Sequence, residues 1–213
     1  MQIIIVGAGG FGKEVAFTID SLQGYNIIGF IDDNPQNIGE KIYGKSVIGT
    51  LKLLQDCAKK VNVVIAIGDP AAREIVYEKL KSNEFITFPN IIDSTAILGH
   101  NIQLGIGNIL MANTTYTSDI EIGDFNMLNI ASTVGHDSKV GSFNSIFPAV
   151  NVSGNVEIGN KNQFGVGTKV IQNLIIGDNN ILGAGSVVIK NIHSCSKFVG
   201  VPSKEIESWD ING

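Results

Sequence analysis

Residues 94–147, cut into sixes, read STAILG HNIQLG IGNILM ANTTYT SDIEIG DFNMLN IASTVG HDSKVG SFNSIF, and the register continues through PAVNVS GNVEIG NKNQFG VGTKVI QNLIIG DNNILG AGSVVI to residue 189. The fifth position is apolar or aromatic in all sixteen phrases, from Leu98 to Val188, without an insertion. The third position is mostly small or polar or a short aliphatic, as at Ala96, Asn108, Thr114, Ser132, Val150 and Ser186. Glycine recurs every eighteen residues at 105, 123, 141, 159 and 177. A period of six nested in eighteen describes a three-sided coil with one short strand and one corner per phrase. The fifth-position side chains then stack inward as ladders. The glycine after each is expected at a corner, where a positive φ or close packing favours it. The 96 residues make a little over five coils.

Outward from the repeat, composition narrows the function classes. With 213 residues, 44% hydrophobic and 16% charged, the chain can bury a real core and is not of disordered type. No apolar run approaches the ~18 residues of a membrane span, and Met1–Val6 lacks the basic leader and cleavage site of a signal peptide. Cys57 and Cys195 lie far apart without zinc-ligand or redox spacing, which fits unpaired thiols in a reducing cytoplasm. A net charge of −5 without a basic cluster argues against nucleic acid as the main partner.

Residues 1–90 follow a different pattern. Ile3–Val6 reads as a buried strand, followed by the glycine turn Gly7-Ala8-Gly9-Gly10-Phe11-Gly12 and a helix over Lys13–Leu22. Ile27–Ile31 is a second strand, stopped by Asp32-Asp33-Asn34-Pro35. Leu51–Lys60 reads as helix and Val63–Ile67 as strand. Pro70–Asn83 reads as a helix supported by Ile75, Leu80 and its first-turn proline. This alternation predicts a small parallel sheet covered by helices. The expected units are an α/β domain over 1–90, the repeat domain over 91–192 and a C-terminal extension over 193–213.

The phrases GAGGFGKEV, FIDDNP, AIGDP, NIASTVGHDSKVG within the hexads, and the terminal FVGVPSK together resemble the hexapeptide-repeat sugar O- and N-acetyltransferases. The resemblance implies a Rossmann-like half fold followed by a left-handed parallel β-helix, a homotrimer with sites between adjacent coils, and acetyl-CoA as co-substrate. It includes enzymes that acetylate the amino group of nucleotide-linked amino-deoxysugars in glycan synthesis, and others described as sialic acid O-acetyltransferases. N-acetylation of a nucleotide-linked amino sugar is the expected activity, with O-acetylation of a sialic acid or another sugar as the alternative.

One of three histidines, His136, opens the phrase HDSKVG. In register, residues eighteen apart stack at about 4.8 Å per layer, so Ser118 lies below His136 and Gly154 above it, while Asp119 lies below Asp137. A first-position histidine just past Gly135 points outward and is not a core residue. Acetyl transfer to an amine or hydroxyl needs a base, and an imidazole backed by a carboxylate can serve. By resemblance Asp137 is that carboxylate; Asp119 is the geometric rival, and an exposed corner histidine without a role is the plain alternative. The resemblance also maps the acetyl-CoA amides to Gly154 and Ala184 and places Asn129 near the base, where it reads equally well as a corner asparagine in the left-handed region. Neither cysteine falls in the repeat, so direct transfer without an acyl-enzyme is expected. Lys190, Lys197 and Lys204 can meet coenzyme A phosphates, although scattered surface lysines are the commoner explanation. Trp209 is expected to pack a terminal segment.

Two competing chemistries are weaker. His100 and His136 stand two coils apart, and position 141, where a third histidine would follow, is glycine, so no metal is expected. The Gly7-x-Gly9-x-x-Gly12 turn with Asp32 after the next strand fits a dinucleotide fingerprint and would make the chain a noncatalytic NAD- or nucleotide-binding protein. About ninety residues hold only half of such a fold, yet a glycine-lined helix N-terminus still suits a phosphate. By resemblance this pocket holds the nucleotide of the sugar, with Gly9, Gly10, Phe11, Asp32, Asp33 and Gly68 mapping to it. Phe11 stands where many members have histidine, which leaves that contact without its usual group.

Overall fold

The computed structural model describes residues 1–210. The chain divides into two compact units, Met1–Ser94 and Thr95–Gly213, so the first ends four residues beyond the expected boundary.

The first unit is a six-stranded sheet with three helices: β1 (Gln2–Val6), α1 (Gly10–Asp20), β2 (Asn26–Ile31), β3 (Lys41–Ile42), β4 (Lys45–Gly49), α2 (Leu51–Gln55), β5 (Val61–Ile65), α3 (Pro70–Leu80) and β6 (Ile86–Thr87). Strand order is β3-β4-β2-β1-β5-β6, parallel except for the β3–β4 hairpin. Its core is Ile3, Ile5, Phe30, Ile31 and Val63 from the strands with Val15, Ile19, Leu54 and Leu80 from the helices. Two helices are shorter than the sequence suggests, and one residue explains both. Asn83 Nδ2 donates to the carbonyls of Leu54, Gln55 and Cys57 at 3.1, 3.3 and 2.9 Å, taking the acceptors that would have continued α2. Its Oδ1 accepts the Phe85 N–H at 3.0 Å, a turn that ends α3 before Asn83. Ile75 is exposed, so Val76 and Leu80 carry the buried face of α3.

The second unit is the left-handed parallel β-helix. Strands pair in register at intervals of eighteen: Thr115 with Thr133, Thr133 with Asn151, Asn151 with Lys169, and Lys169 with Val187. Fifth-position side chains fill the interior from Leu110 to Val188. The corner chemistry differs from expectation. The left-handed residue is the second of each phrase, from Asn101 through Asp119, Phe125, Asp137 and Lys161 to Gly185. Gly105, Gly123, Gly141, Gly159 and Gly177 have ordinary φ and are required by close approach. A Cβ on Gly141 would sit 2.6 Å from the Gly159 carbonyl oxygen in the next coil. Asn129 likewise has no positive φ; the left-handed residue at its corner is Ala131.

Inside the coil the third position carries a ladder that the small-or-polar description missed. Asn108, Asn126, Asn144, Asn162 and Asn180 are all buried, each eighteen residues above the last. The backbone N–H of each higher asparagine donates to the Oδ1 of the one below, at 2.8–2.9 Å. The expected C-terminal extension adds to the same sheet: Ser196–Val199 pairs in parallel with Ile181–Leu182 and antiparallel with Lys204–Ser208. Trp209 follows, its N–H donating to the Cys195 carbonyl at 2.9 Å.

Candidate functional site

The His136 corner combines an exposed imidazole, a carboxylate and an amide without an acceptor among the described residues. Successive side chains on a strand point to opposite faces, which would separate His136 from Asp137. The positive φ of Asp137, +57°, breaks that alternation. As a result His136 Nδ1 lies 2.7 Å from Asp137 Oδ2, with both side chains more than 60% exposed. An exposed pair of this kind contributes little to stability; its geometric effect is to orient the ring. Asp119, the rival carboxylate, instead accepts a hydrogen bond from Asn101 Nδ2 at 2.9 Å. Asp137 is therefore the carboxylate at the imidazole.

With Nδ1 facing Asp137, Nε2 is left for other partners. The ring leans over Gly154, and a Cβ there would lie 2.6 Å from the ring Cε1. Only glycine lets the imidazole take this position. The backbone beneath is fixed: Asn155 N–H donates to the His136 carbonyl at 2.7 Å, and Asp137 N–H to the Ser118 carbonyl at 3.1 Å. The N–H groups of His136, Gly154 and Ala184 have no acceptor among the described residues. An imidazole thus leans over a glycine whose N–H has no acceptor among the described residues, an arrangement that can serve acyl transfer.

The other expected residues spread along the coil. Lys190 is exposed and lies three layers above His136 on the same corner line, roughly 14 Å away at the strand spacing. Ala184 is exposed at another corner. Asn129 is not brought to the imidazole. It is buried, its Oδ1 accepts the N–H of Ile130 at 2.6 Å, and the strand Thr133–Val134 separates it from His136. A groove of about 700 Å³ runs along the adjacent face, crossed by Glu121, Lys139 and Glu157; His136 and Gly154 do not line it. Among the described residues no group of three His, Cys, Asp or Glu side chains is placed to hold a metal.

In the first unit, three loops follow the C-terminal ends of adjacent strands. The glycine turn follows β1, and Gly12 packs a helical backbone against the Gly7 carbonyl. Gly9 is the N-cap of α1, without a side-chain cap. Gly9, Gly10 and Gly68 have open space where a Cβ would stand, and Phe11 is half-buried on the first turn of α1. Asp32, after β2, accepts the Ala8 N–H at 3.2 Å and the Asn34 N–H at 2.9 Å, tying its loop to the glycine turn. Asp33 is differently employed: its Oδ1 accepts the Leu51 N–H at 2.8 Å, capping α2. The third loop contains Gly68 and is gripped by Arg73, a buried residue that its sequence pattern does not mark.

Known proteins resemble this chain along nearly its whole length. The family model of the PglD N-terminal domain matches residues 2–80. Among curated proteins none matches by sequence. Among solved structures, perosamine N-acetyltransferase (PerB) from Caulobacter crescentus, in complex with CoA and GDP-perosamine, is 28% identical with a TM-score of 0.86, over 97% of this chain and 98% of that one. The acetyltransferase domain of PglB from Neisseria gonorrhoeae is 27% identical with a TM-score of 0.90, over 96% and 99%. WeeI from Acinetobacter baumannii is 29% identical with a TM-score of 0.87, over 97% and 100%. With a PglD-type first unit, a hexapeptide-repeat coil and near full-length similarity to these proteins, the chain is similar throughout to sugar acetyltransferases of the hexapeptide-repeat type.

Proposed function

We propose that this chain is an acetyl-CoA-dependent N-acetyltransferase acting on a nucleotide-linked amino-deoxysugar, with His136 as the general base. The observation that carries the reading is the imidazole held 2.7 Å from Asp137 while its ring lies over Gly154, whose N–H has no acceptor among the described residues. Similar proteins bound to CoA with GDP-perosamine, and to acetyl coenzyme A, support the two substrates.

In this mechanism Asp137 keeps the proton on Nδ1 and supports the ring as it becomes charged. Nε2 takes a proton from the acceptor amine as nitrogen attacks the thioester carbonyl. The carbon–nitrogen bond forms, the oxyanion accepts a hydrogen bond from the Gly154 N–H, and the carbon–sulfur bond then breaks. The imidazolium returns its proton to the departing thiolate. Extended along the corner line, the pantetheine arm spans from His136 past Gly154 to Lys190, whose ammonium meets a phosphate. The first unit holds the nucleotide at Gly9, Gly10 and Gly68, with Asp32 near the ribose or base. The chain acts as a homotrimer, and the cytoplasm is its site of action because acetyl-CoA and nucleotide sugars are made there. Among the described residues no helix is long and apolar enough to cross a membrane.

Mixing the protein with acetyl-CoA and a panel of 4-amino-sugar nucleotides and sialic acids, while following thiol release, tests the reading. Turnover with an amino-sugar nucleotide is expected. Turnover only with sialic acids would replace it with O-acetylation, and tight NAD binding without thiol release on any acceptor would overturn it.

A further inference from the structure

The loop after β5 is held from beneath by a group that no step of the transfer uses. Arg73 stands one turn into α3 and is 1% exposed. Its Nη1 donates to the Ile67 carbonyl at 2.6 Å and reaches the Gly68 carbonyl at 3.4 Å. Burial pushes the guanidinium down to about 10, with Asp69 opposing, so it stays charged at neutral pH. Burying a charge is costly, and a well-packed apolar side chain of similar volume generally serves stability as well or better. What the guanidinium supplies instead is a rigid, planar donor set on two consecutive carbonyls. That loop adjoins the glycine turn. Ala66 N–H donates to the Val6 carbonyl at 2.8 Å, and a Cβ on Gly7 would lie 3.2 Å from the Ala66 carbonyl carbon. Asp69 caps α3 by accepting the Ala72 N–H at 2.8 Å, so the loop is anchored at both ends while Gly68 keeps open space beside it.

We propose that Arg73 is a positioning residue of the nucleotide pocket, fixing the Ile67–Gly68 peptide so that this backbone meets the nucleoside diphosphate of the sugar substrate. The proposal rests on the reading of the glycine turn as a nucleotide site. The test is calorimetric titration of UDP, GDP and dTDP into the full-length wild type, Arg73→Lys and Arg73→Met, with steady-state kinetics on the same samples. The lysine keeps the charge but replaces the rigid planar fork with a flexible ammonium; the methionine removes the charge at similar length. Arg73→Lys should weaken the diphosphate that wild type binds by roughly tenfold and raise the nucleotide-sugar KM in step. Its kcat and acetyl-CoA KM should stay unchanged, and Arg73→Met should lose more affinity. A wild type that binds none of the three diphosphates would sink the pocket reading itself. A wild type that binds one, with a folded Arg73→Lys binding it equally well, would sink this proposal alone. An Arg73→Lys chain that fails to fold, or one in which kcat and both KM values change together, would mark the residue as packing and also overturn it.

Discussion

Two corners of the same coil solve the same backbone problem differently. At the Asp124 corner each first-position N–H is capped from the coil above: Ile106 by Asp124, Asp124 by Ser142, Ser142 by Asn160, Asn160 by Asp178 and Asp178 by Ser194, at 2.5–2.9 Å. Behind it runs the buried asparagine ladder, and Phe125 and Phe143, both at positive φ, stack with ring centroids 5.3 Å apart. At the His136 corner the N–H groups of His136, Gly154 and Gln172 have no acceptor among the described residues. Asx pairs form there between Asn101 and Asp119 and between Asn155 and Asn173, but Asp137 turns to the histidine instead. One corner spends its polar groups on the coil, and the other leaves them available to a ligand. Substitutions at the first should therefore alter stability, and at the second, rate.

The largest effect is expected from His136→Ala, which should lower kcat by ~10²–10⁴ in thiol-release assays with an unchanged circular dichroism spectrum. Next comes Asn144→Ala on the capped side. It strips the acceptor of the Asn162 N–H and the donor to the Gly159 carbonyl. Chemical denaturation should show a loss of about 3–5 kcal/mol. Gly154→Ala should displace the imidazole and reduce kcat by roughly 10²-fold, since misplacement by about 1 Å has that effect; unchanged kcat would mean the ring position is immaterial. Asp137→Asn should reduce kcat by about tenfold, because the imidazole remains but loses orientation and charge support. The smallest effect belongs to Asp178→Ala, which uncaps Asn160 and should cost about 1 kcal/mol of stability with turnover per folded molecule unchanged.

The fold was legible because its signal is redundant: sixteen apolar fifth positions and glycines every eighteen residues admit one reading. The left-handed second position was not, because it is filled by Asn, Asp, Phe, Ala, Lys and Gly alike. Phe125 and Lys161 are not residues that announce a positive φ. That gap left the choice between Asp137 and Asp119 open, since it turns on the backbone at 137. The asparagine ladder was readable as Asn at 108, 126, 144, 162 and 180, but third positions at other corners carry Ile, Val or Thr and dilute the pattern. Gly154 over His136 followed from register alone. Asn129 did not, because a buried amide tied to its own neighbour looks the same in sequence as one facing a substrate. Arg73 was invisible for a related reason: a single arginine in a mixed helical segment gives no sign of burial.

The comparison is decided most directly by measuring thiol release for His136→Ala and Asp178→Ala side by side, at saturating acetyl-CoA and with an acceptor that wild type turns over. A single-residue change at each corner, made in folded protein, isolates the corner as the variable. The account predicts that turnover collapses in His136→Ala and stays at the wild-type level in Asp178→Ala. Near wild-type turnover in folded His136→Ala would contradict it.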